Sequence, residues 1–311
     1  MRRIAAAGLL AALVLLAARE PHGGALARQN PEYRYGVKVE LVSLFATVED
    51  RSGKLVTGLG PNDFVIYDDG VPQTISQFSR EYIPLSVLIL LDCSSSMRGK
   101  KLENAKHALV QFLRRLRPRD EAMLMTFQTK PRVVERYTSK MDVIRAALRK
   151  LDGNGSTALY DAIVAALEEA RGAQNRRRSL LLISDGINNY GKARLAETVM
   201  RLQRSGLELF AIGLEGSFPE DLEDRKVTHA VLDQLTRAAG GEAFIVSEAH
   251  DLGRICGTIS DRMHNQYAFG YYPPPSLDGR WRAVKVETKM RGLRVIASKT
   301  GYFPSASTRP D

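Results

Sequence analysis

The chain has 311 residues, 45 Lys+Arg against 35 Asp+Glu, 44% hydrophobic residues, a formal charge of +10 and only 2 Cys. That length allows one large domain or two modest ones, and the composition excludes a disordered tract, a collagenous repeat and a disulfide-built scaffold. The positive charge admits nucleic acid, an anionic surface or nothing more than solubility.

The first residues narrow that choice. Met1-Arg2-Arg3 is a short basic start, and residues 4–18 are an apolar run. The run falls short of the roughly 20 residues that span a bilayer and has the length of a secretory leader's core. Ala25-Leu26-Ala27 has the small-x-small form of a cleavage site. Residues 1–27 therefore read as a signal peptide on an exported chain, periplasmic or extracellular, with an uncleaved N-terminal anchor as the alternative. Removing Arg2, Arg3, Arg19 and Glu20 with the leader lowers the formal charge to +8. No later stretch approaches spanning length, so no transmembrane span is expected after cleavage. Cys93 and Cys256 both remain, either as small buried residues or as a pair.

Residues 34–83 read as a β-strand segment. The stretch 37–48 (VKVELVSLFATV) alternates, Asp50-Arg51-Ser52-Gly53 is a turn, and residues 64–67 lead into the hairpin signal Asp68-Asp69-Gly70. Residues 84–266 alternate strands with helices. Residues 85–91 (LSVLILL) form a continuous apolar run, as a strand covered on both faces should. A helix follows, with Leu102, Ala105, Leu109, Phe112 and Leu116 spaced at three and four. Strands are expected at 121–127, 132–137, 180–184, 207–213 and 243–246. Helices are expected around 141–148 and 159–170, and at 193–204, 227–239 and 250–264. The series predicts an α/β fold, a doubly wound, mainly parallel sheet, because parallel neighbours need crossover helices. Residues 267–304 return to short strands, at 268–272, 283–287 and 293–298. Neither flank buries much core alone, so the two are expected to pack into a small antiparallel β domain around the inserted α/β domain, with independent flanking hairpins as the alternative.

Candidate chemistry sits where strands end. Asp92-Cys93-Ser94-Ser95-Ser96 follows the first buried strand, Thr157 opens a helix, and Asp185 follows LLLIS at 180–184. Ligands of open α/β sheets bind at the carboxyl ends of strands, at the switch point. Asp92, Ser94, Ser96, Thr157 and Asp185 make an all-oxygen set, which suits Mg²⁺ first, and also Mn²⁺ or Ca²⁺, rather than zinc.

The pattern Asp92-x-Ser94-x-Ser96 with Thr157 and Asp185 resembles the metal-ion-dependent adhesion site of von Willebrand factor A domains, over about residues 84–266. That resemblance implies Ser94 and Ser96 as direct ligands and Thr157 as a direct or switchable one. It implies Asp92 and Asp185 as carboxylates that hold the ion directly or through water, with one metal position open. Ser95 departs from the pattern, since many members have Gly there. The stretches FVIYDDG at 64–70, YAFGYYP at 267–273, WRAVKV at 281–286 and KTGY at 299–302 are similar to a bacterial group of exported A-domain-related proteins.

An open cation position implies recognition of a protein ligand that presents Asp or Glu, without turnover. A structural subunit whose metal only stiffens loops is the alternative, and a metal-assisted hydrolase ranks below it. Ser94 lacks the flanking glycines of a nucleophile elbow, and His107, His229, His250 and His264 fall on expected helices, at surface or helix-terminal positions away from strand ends. Gly153-Asn154-Gly155-Ser156-Thr157-Ala158 has the form of a dinucleotide fingerprint but follows a helix, so it reads as the loop that presents Thr157. The basic clusters at 114–119, 149–150 and 176–178 lack interleaved aromatics, which argues against nucleic acid.

Overall fold

Short apolar strands alternating with amphipathic helices force crossover connections, and the chain uses them to build a central sheet. The computed structural model describes residues 41–185, 188–214, 222–274 and 279–304. The expected leader at 1–27 and the first residues of the expected first strand, 37–40, lie outside the described residues. In chain order, β1 (Val42–Glu49), β2 (Phe64–Asp68), β3 (Val71–Gln73) and β4 (Gln77–Ser79) come first. The α/β series is β5 (Leu85–Asp92), α1 (Lys100–Arg115), β6 (Glu121–Phe127), β7 (Pro131–Thr138), α2 (Met141–Arg149), α3 (Leu159–Glu169), β8 (Arg177–Ser184), α4 (Leu195–Ser205), β9 (Glu208–Leu214), α5 (Leu222–Ala239), β10 (Glu242–Val246) and α6 (Ala249–His264). Then follow β11 (Tyr267–Tyr271), β12 (Arg282–Thr288), β13 (Arg294–Ala297) and β14 (Gly301–Tyr302).

The central sheet runs β10-β9-β8-β5-β6-β7. Its neighbours are parallel except β7, which lies antiparallel to β6 at the edge. The fold is thus the doubly wound, mainly parallel α/β type expected from the alternation. Successive residues of a strand point to opposite faces, and β5 uses both. Val87, Ile89 and Leu91 pack with Leu109 and Phe112 of α1 and Ile259 of α6, whereas Leu88 and Leu90 pack with Ile163 of α3 and Leu235 of α5. Burying each such side chain contributes about 1.5–3 kcal/mol, so β5 is a firmly anchored place from which to hang a site.

The flanks form two four-stranded sheets, β13-β1-β11-β4 and β14-β12-β2-β3. Each joins strands from before the α/β series to strands from after it. β1 pairs antiparallel with β11, Val42 opposite Tyr271 through Ala46 opposite Tyr267, and β2 pairs with β12, Asp68 opposite Val284 through Phe64 opposite Thr288. Leu44, Phe64, Ile66, Phe269 and Val286 meet in one apolar cluster drawn from both sheets. The Tyr271 hydroxyl donates to Asp68 Oδ2 at 2.9 Å, a hydrogen bond from one sheet to the other. β3 is the returning arm of the hairpin signalled by Asp68-Asp69-Gly70, whereas β4 and β14 have no counterpart in the sequence reading, because two or three residues are too few for alternation to register.

Two polar clusters tie the flanks to the α/β layers. Glu49 of β1 takes the Arg262 guanidinium of α6 bidentately, Nε to Oε1 at 2.6 Å and Nη2 to Oε2 at 3.0 Å, with the two side chains only 3% and 9% exposed. Arg262 also contacts Glu242 of β10. At the start of β5, the Asp120 carboxylate accepts the Tyr82 hydroxyl at 2.6 Å, the Leu85 N–H at 2.9 Å and the Arg117 N–H at 2.8 Å. His264, the last residue of α6, is buried there, with Nε2 2.8 Å from Asp120 Oδ2. Burial alone would raise the Asp120 pKa, but these partners, His264 foremost, outweigh it and hold the carboxyl below its ordinary value. Cys93 and Cys256 are both free and buried, and burial pushes each thiol up to about 12.

Two outcomes follow for stability. Arg262→Met strands the Glu49 charge in the core and is expected to lower unfolding free energy by about 3–5 kcal/mol in denaturant titrations. The depressed Asp120 pKa contributes stability above the unfolded carboxylate value of about 4, and that contribution is lost as pH falls through the folded value. Thermal melts of the wild type and Asp120→Asn should therefore differ at neutral pH and converge in acid; curves that stay parallel at every pH refute the assignment.

Candidate metal centre

The order of the central sheet reverses beside β5. From β5 the chain goes outward to β6 and β7 on one side, and β8, β9 and β10 fill the other. Between the carboxyl ends of β5 and β8 the outgoing loops diverge and leave a crevice. Asp92 is the last residue of β5, and Asp185 directly follows β8.

Asp92 is wholly buried. Its Oδ1 accepts the Ser94 N–H at 2.8 Å and its Oδ2 accepts the hydroxyl of Ser184, the last residue of β8, at 2.5 Å. One carboxylate therefore ties the ends of both strands. Burial pushes its pKa up to about 6, against the hydrogen bonds from Ser184 and Ser94 and with a smaller push from the Asp185 charge. Asp92 is a carboxylate short of positive charge.

From Ser94 the cluster continues toward solvent. Ser96 Oγ donates to Asp185 Oδ1 at 2.7 Å. Its single proton is thereby used, so the 3.0 Å contact with Ser94 Oγ has Ser94 as donor. Ser94 is buried and Ser96 is exposed, so this chain of oxygens runs from the core to the surface. Lys101, in the first turn of α1, places Nζ 2.5 Å from Asp185 Oδ2, with the two side chains 24% and 1% exposed.

Thr157 reaches the crevice through its backbone. Its N–H donates to Asn189 Oδ1 at 2.8 Å, and its carbonyl accepts the N–H groups of Asn189 and Tyr190 at 3.0 and 3.2 Å. Ala158, at the N-cap of α3, has no side-chain oxygen for the helix's free N–H groups. Asn188 Oδ1 takes the Tyr160 N–H at 3.0 Å instead, and Asp161 takes those of Lys192 and Ala193. The loop after β8 is thus stitched to the start of α3.

A second set of bonds laces the loop before Thr157 to the loop after β5: Asn154 N–H to Cys93 O at 2.8 Å and Ser95 N–H to Gly155 O at 2.9 Å. Glycine suits that approach. A Cβ at Gly153 would lie 3.1 Å from both Ser94 O and Arg98 Cα, and Gly155 holds φ at +77°. The glycines of this loop serve a close backbone contact.

The structure thus joins Asp92, Ser94, Ser96 and Asp185 in one hydrogen-bonded chain and carries Thr157 alongside it. Ser184, Lys101, Asn188, Asn189 and Asp161 also take part and were missed by the sequence reading. The pair Asn188-Asn189, so soon after Asp185, was the available signal, since Asn side chains cap free helix N–H groups. Nothing local to Lys101 distinguishes it from the other lysines of α1.

The donor set fits a hard divalent cation. Each carboxylate oxygen keeps lone-pair capacity beyond its present hydrogen bonds, and hydroxyl and carboxylate oxygens are the ligands such ions take. Among the described residues no group of three or more His, Cys, Asp or Glu side chains is arranged to hold a metal, so an ion held here relies on hydroxyls.

Residues 87–188, which span this crevice, match the family model of the von Willebrand factor type A domain. The chain carries a von Willebrand factor type A domain. An uncharacterized protein of Synechocystis is 29% identical over 112 residues, 35% of this chain and 27% of that protein. The inter-alpha-trypsin inhibitor heavy chain H1 of Sus scrofa is 25% identical over 209 residues, 62% of this chain and 22% of its own. This chain spans about a quarter of the length of these curated relatives. Among solved structures, the von Willebrand factor type A protein of Catenulispora acidiphila superposes with a TM-score of 0.50 at 14% identity, covering 85% of this chain and 74% of that one. At that identity the likeness speaks for the fold alone.

The lacing of the A-domain crevice is testable without a ligand. Asn189→Ala leaves the Thr157 N–H unpaired beside a buried side chain, and a loss of about 1–2 kcal/mol is expected in thermal or denaturant unfolding. An unchanged midpoint would mean that water replaces the amide and that the loop is held by other bonds.

Proposed function

We propose that the protein is an exported binding protein that recognises a protein partner through a divalent cation held by Asp92, Ser94, Ser96, Thr157 and Asp185. The observation that carries this reading is the chain of oxygens from buried Asp92 to exposed Ser96, placed at the switch point of an A domain. Mg²⁺ is the first choice of ion, with Mn²⁺ and Ca²⁺ as alternatives of the same hard chemistry. When bound, the ion supplies an electrophilic position for a carboxylate oxygen of a partner's Asp or Glu.

The protein's own residues set the charge at that position. Asp92 and Asp185 bring two negative charges, and Lys101 on Asp185 offsets one of them. A divalent ion then leaves the site with net positive charge, which favours an anionic ligand. Recognition fits better than loop stiffening, because the loops around Ser95 and Gly155 are already joined by their own backbone bonds. It also fits better than hydrolysis. The Ser94 hydroxyl is committed to Ser96, and buried His264 sits with Asp120 and Leu85 at the opposite end of β5. The basic start and apolar run of residues 4–18 support export.

Titration calorimetry with Mg²⁺ on the wild type should show binding that Asp92→Ala abolishes. Ser184→Ala, which removes the hydroxyl behind Asp92, should weaken it by about 10–100-fold. Lys101→Met should tighten cation binding, because it removes a competing positive charge. Retention of a partner on the immobilised chain should disappear with chelator and with Asp92→Ala. Equal retention under all conditions refutes cation-dependent recognition, and mass analysis of the chain from culture, starting at Arg28 or not, decides the leader.

A further inference from the structure

A second surface lies at the opposite end of the central sheet. β8, eight residues long, runs from this end to the proposed cation site, so the two places are about 25 Å apart at the rise of an extended strand. Here the loop that precedes β8, strand β4 and the segment after β13 line a groove of about 1060 Å³. That volume is at the top of the range of small-ligand pockets, roughly 300–1,000 Å³.

The charge of this groove is one-sided. Arg176, Arg178 and Lys299 line it, and no Asp or Glu does. Among the described residues none of the three cations takes part in an ion pair. Burial without an opposing charge lowers the Lys299 ammonium to about 8. A cation held partly out of water normally has a paired acid, and no residue lining the groove supplies one.

The walls favour an extended chain over a single small anion. β4 is the edge of its sheet, and an edge strand presents backbone N–H and C=O groups that another strand can pair with. Phe45, Phe78, Gln77 and Gln174 also line the groove, so apolar and amide surface lies beside the charge. A lone phosphate would leave this surface uncovered.

We propose that this groove binds an acidic, extended segment of a partner protein, laid along β4 with its carboxylates on Arg176, Arg178 and Lys299. The site is separate from the cation site and needs no metal. The mature chain would then engage acidic partners at both ends of its central sheet.

The test is fluorescence anisotropy on the full chain, with a labelled short peptide alternating Glu and Val and a control peptide with Gln in place of Glu. The Glu peptide should bind and the Gln peptide should not. Lys299→Met and Arg178→Gln, each checked for an unchanged thermal midpoint, should each weaken binding by about tenfold, and Lys299→Arg should retain it. Added salt should weaken binding as well, since part of the site is open to solvent. Chelator should leave it unchanged. Three results overturn the proposal: equal binding of the Gln peptide, no effect of either cation variant, or loss of binding in the presence of chelator. Complete displacement of the peptide by an equal concentration of inorganic phosphate also overturns it, because the groove would then be a site for a free anion.

Discussion

Asp92 is where the strand framework and the candidate site become one object. A carboxylate with no solvent contact is costly to ionise, and this one is held by the backbone of its own loop on one side and by the Ser184 hydroxyl on the other. Those two bonds fix the ends of β5 and β8 against each other, at the place where the sheet order turns back. Everything that converges there is hung from strands buried on both faces. The leucines, valine and isoleucine of β5 therefore anchor the crevice as surely as the polar residues shape it.

Around that anchor, the surrounding loops are held by backbone hydrogen bonds and by amide side chains reaching across from neighbouring loops. Asn188 serves a helix that cannot cap itself, and Asn189 beside it holds the Thr157 N–H, so the loop after β8 is brought to Thr157. Gly153 allows two loops to touch backbone to backbone. The result is a rigid rim with an exposed serine at its lip, and a lysine that moderates the negative charge beneath. A site built this way uses its backbone bonds to hold the polar cluster in place beneath the exposed Ser96.

The flanking sheets do a different task. Their strands come from two stretches separated by the whole α/β series, and each sheet is completed only when those stretches meet. The Glu49–Arg262 pair fastens one of these sheets to α6, which in turn lies on the central sheet. The groove, whose three cations have no ion-pair partner among the described residues, is lined by segments of both sets of elements. Neither set of elements makes it alone.

Much was legible in the sequence by itself. The continuous apolar run at 85–91 and the three-and-four spacing from Leu102 to Leu116 determined buried strand and amphipathic helix, and their alternation determined a doubly wound sheet. That class in turn located Asp92, Ser94, Ser96 and Asp185 at strand ends, because side-chain period and crossover handedness are local rules. What only the tertiary structure decided is who meets whom across distance. No pattern in α1 marks Lys101 as the residue that reaches Asp185, none in β8 marks Ser184 as the support of Asp92, and none in the flanks sets Val42 opposite Tyr271. Those pairings depend on how whole layers pack, and packing is chosen by the sum of many weak contacts that no short stretch of sequence contains.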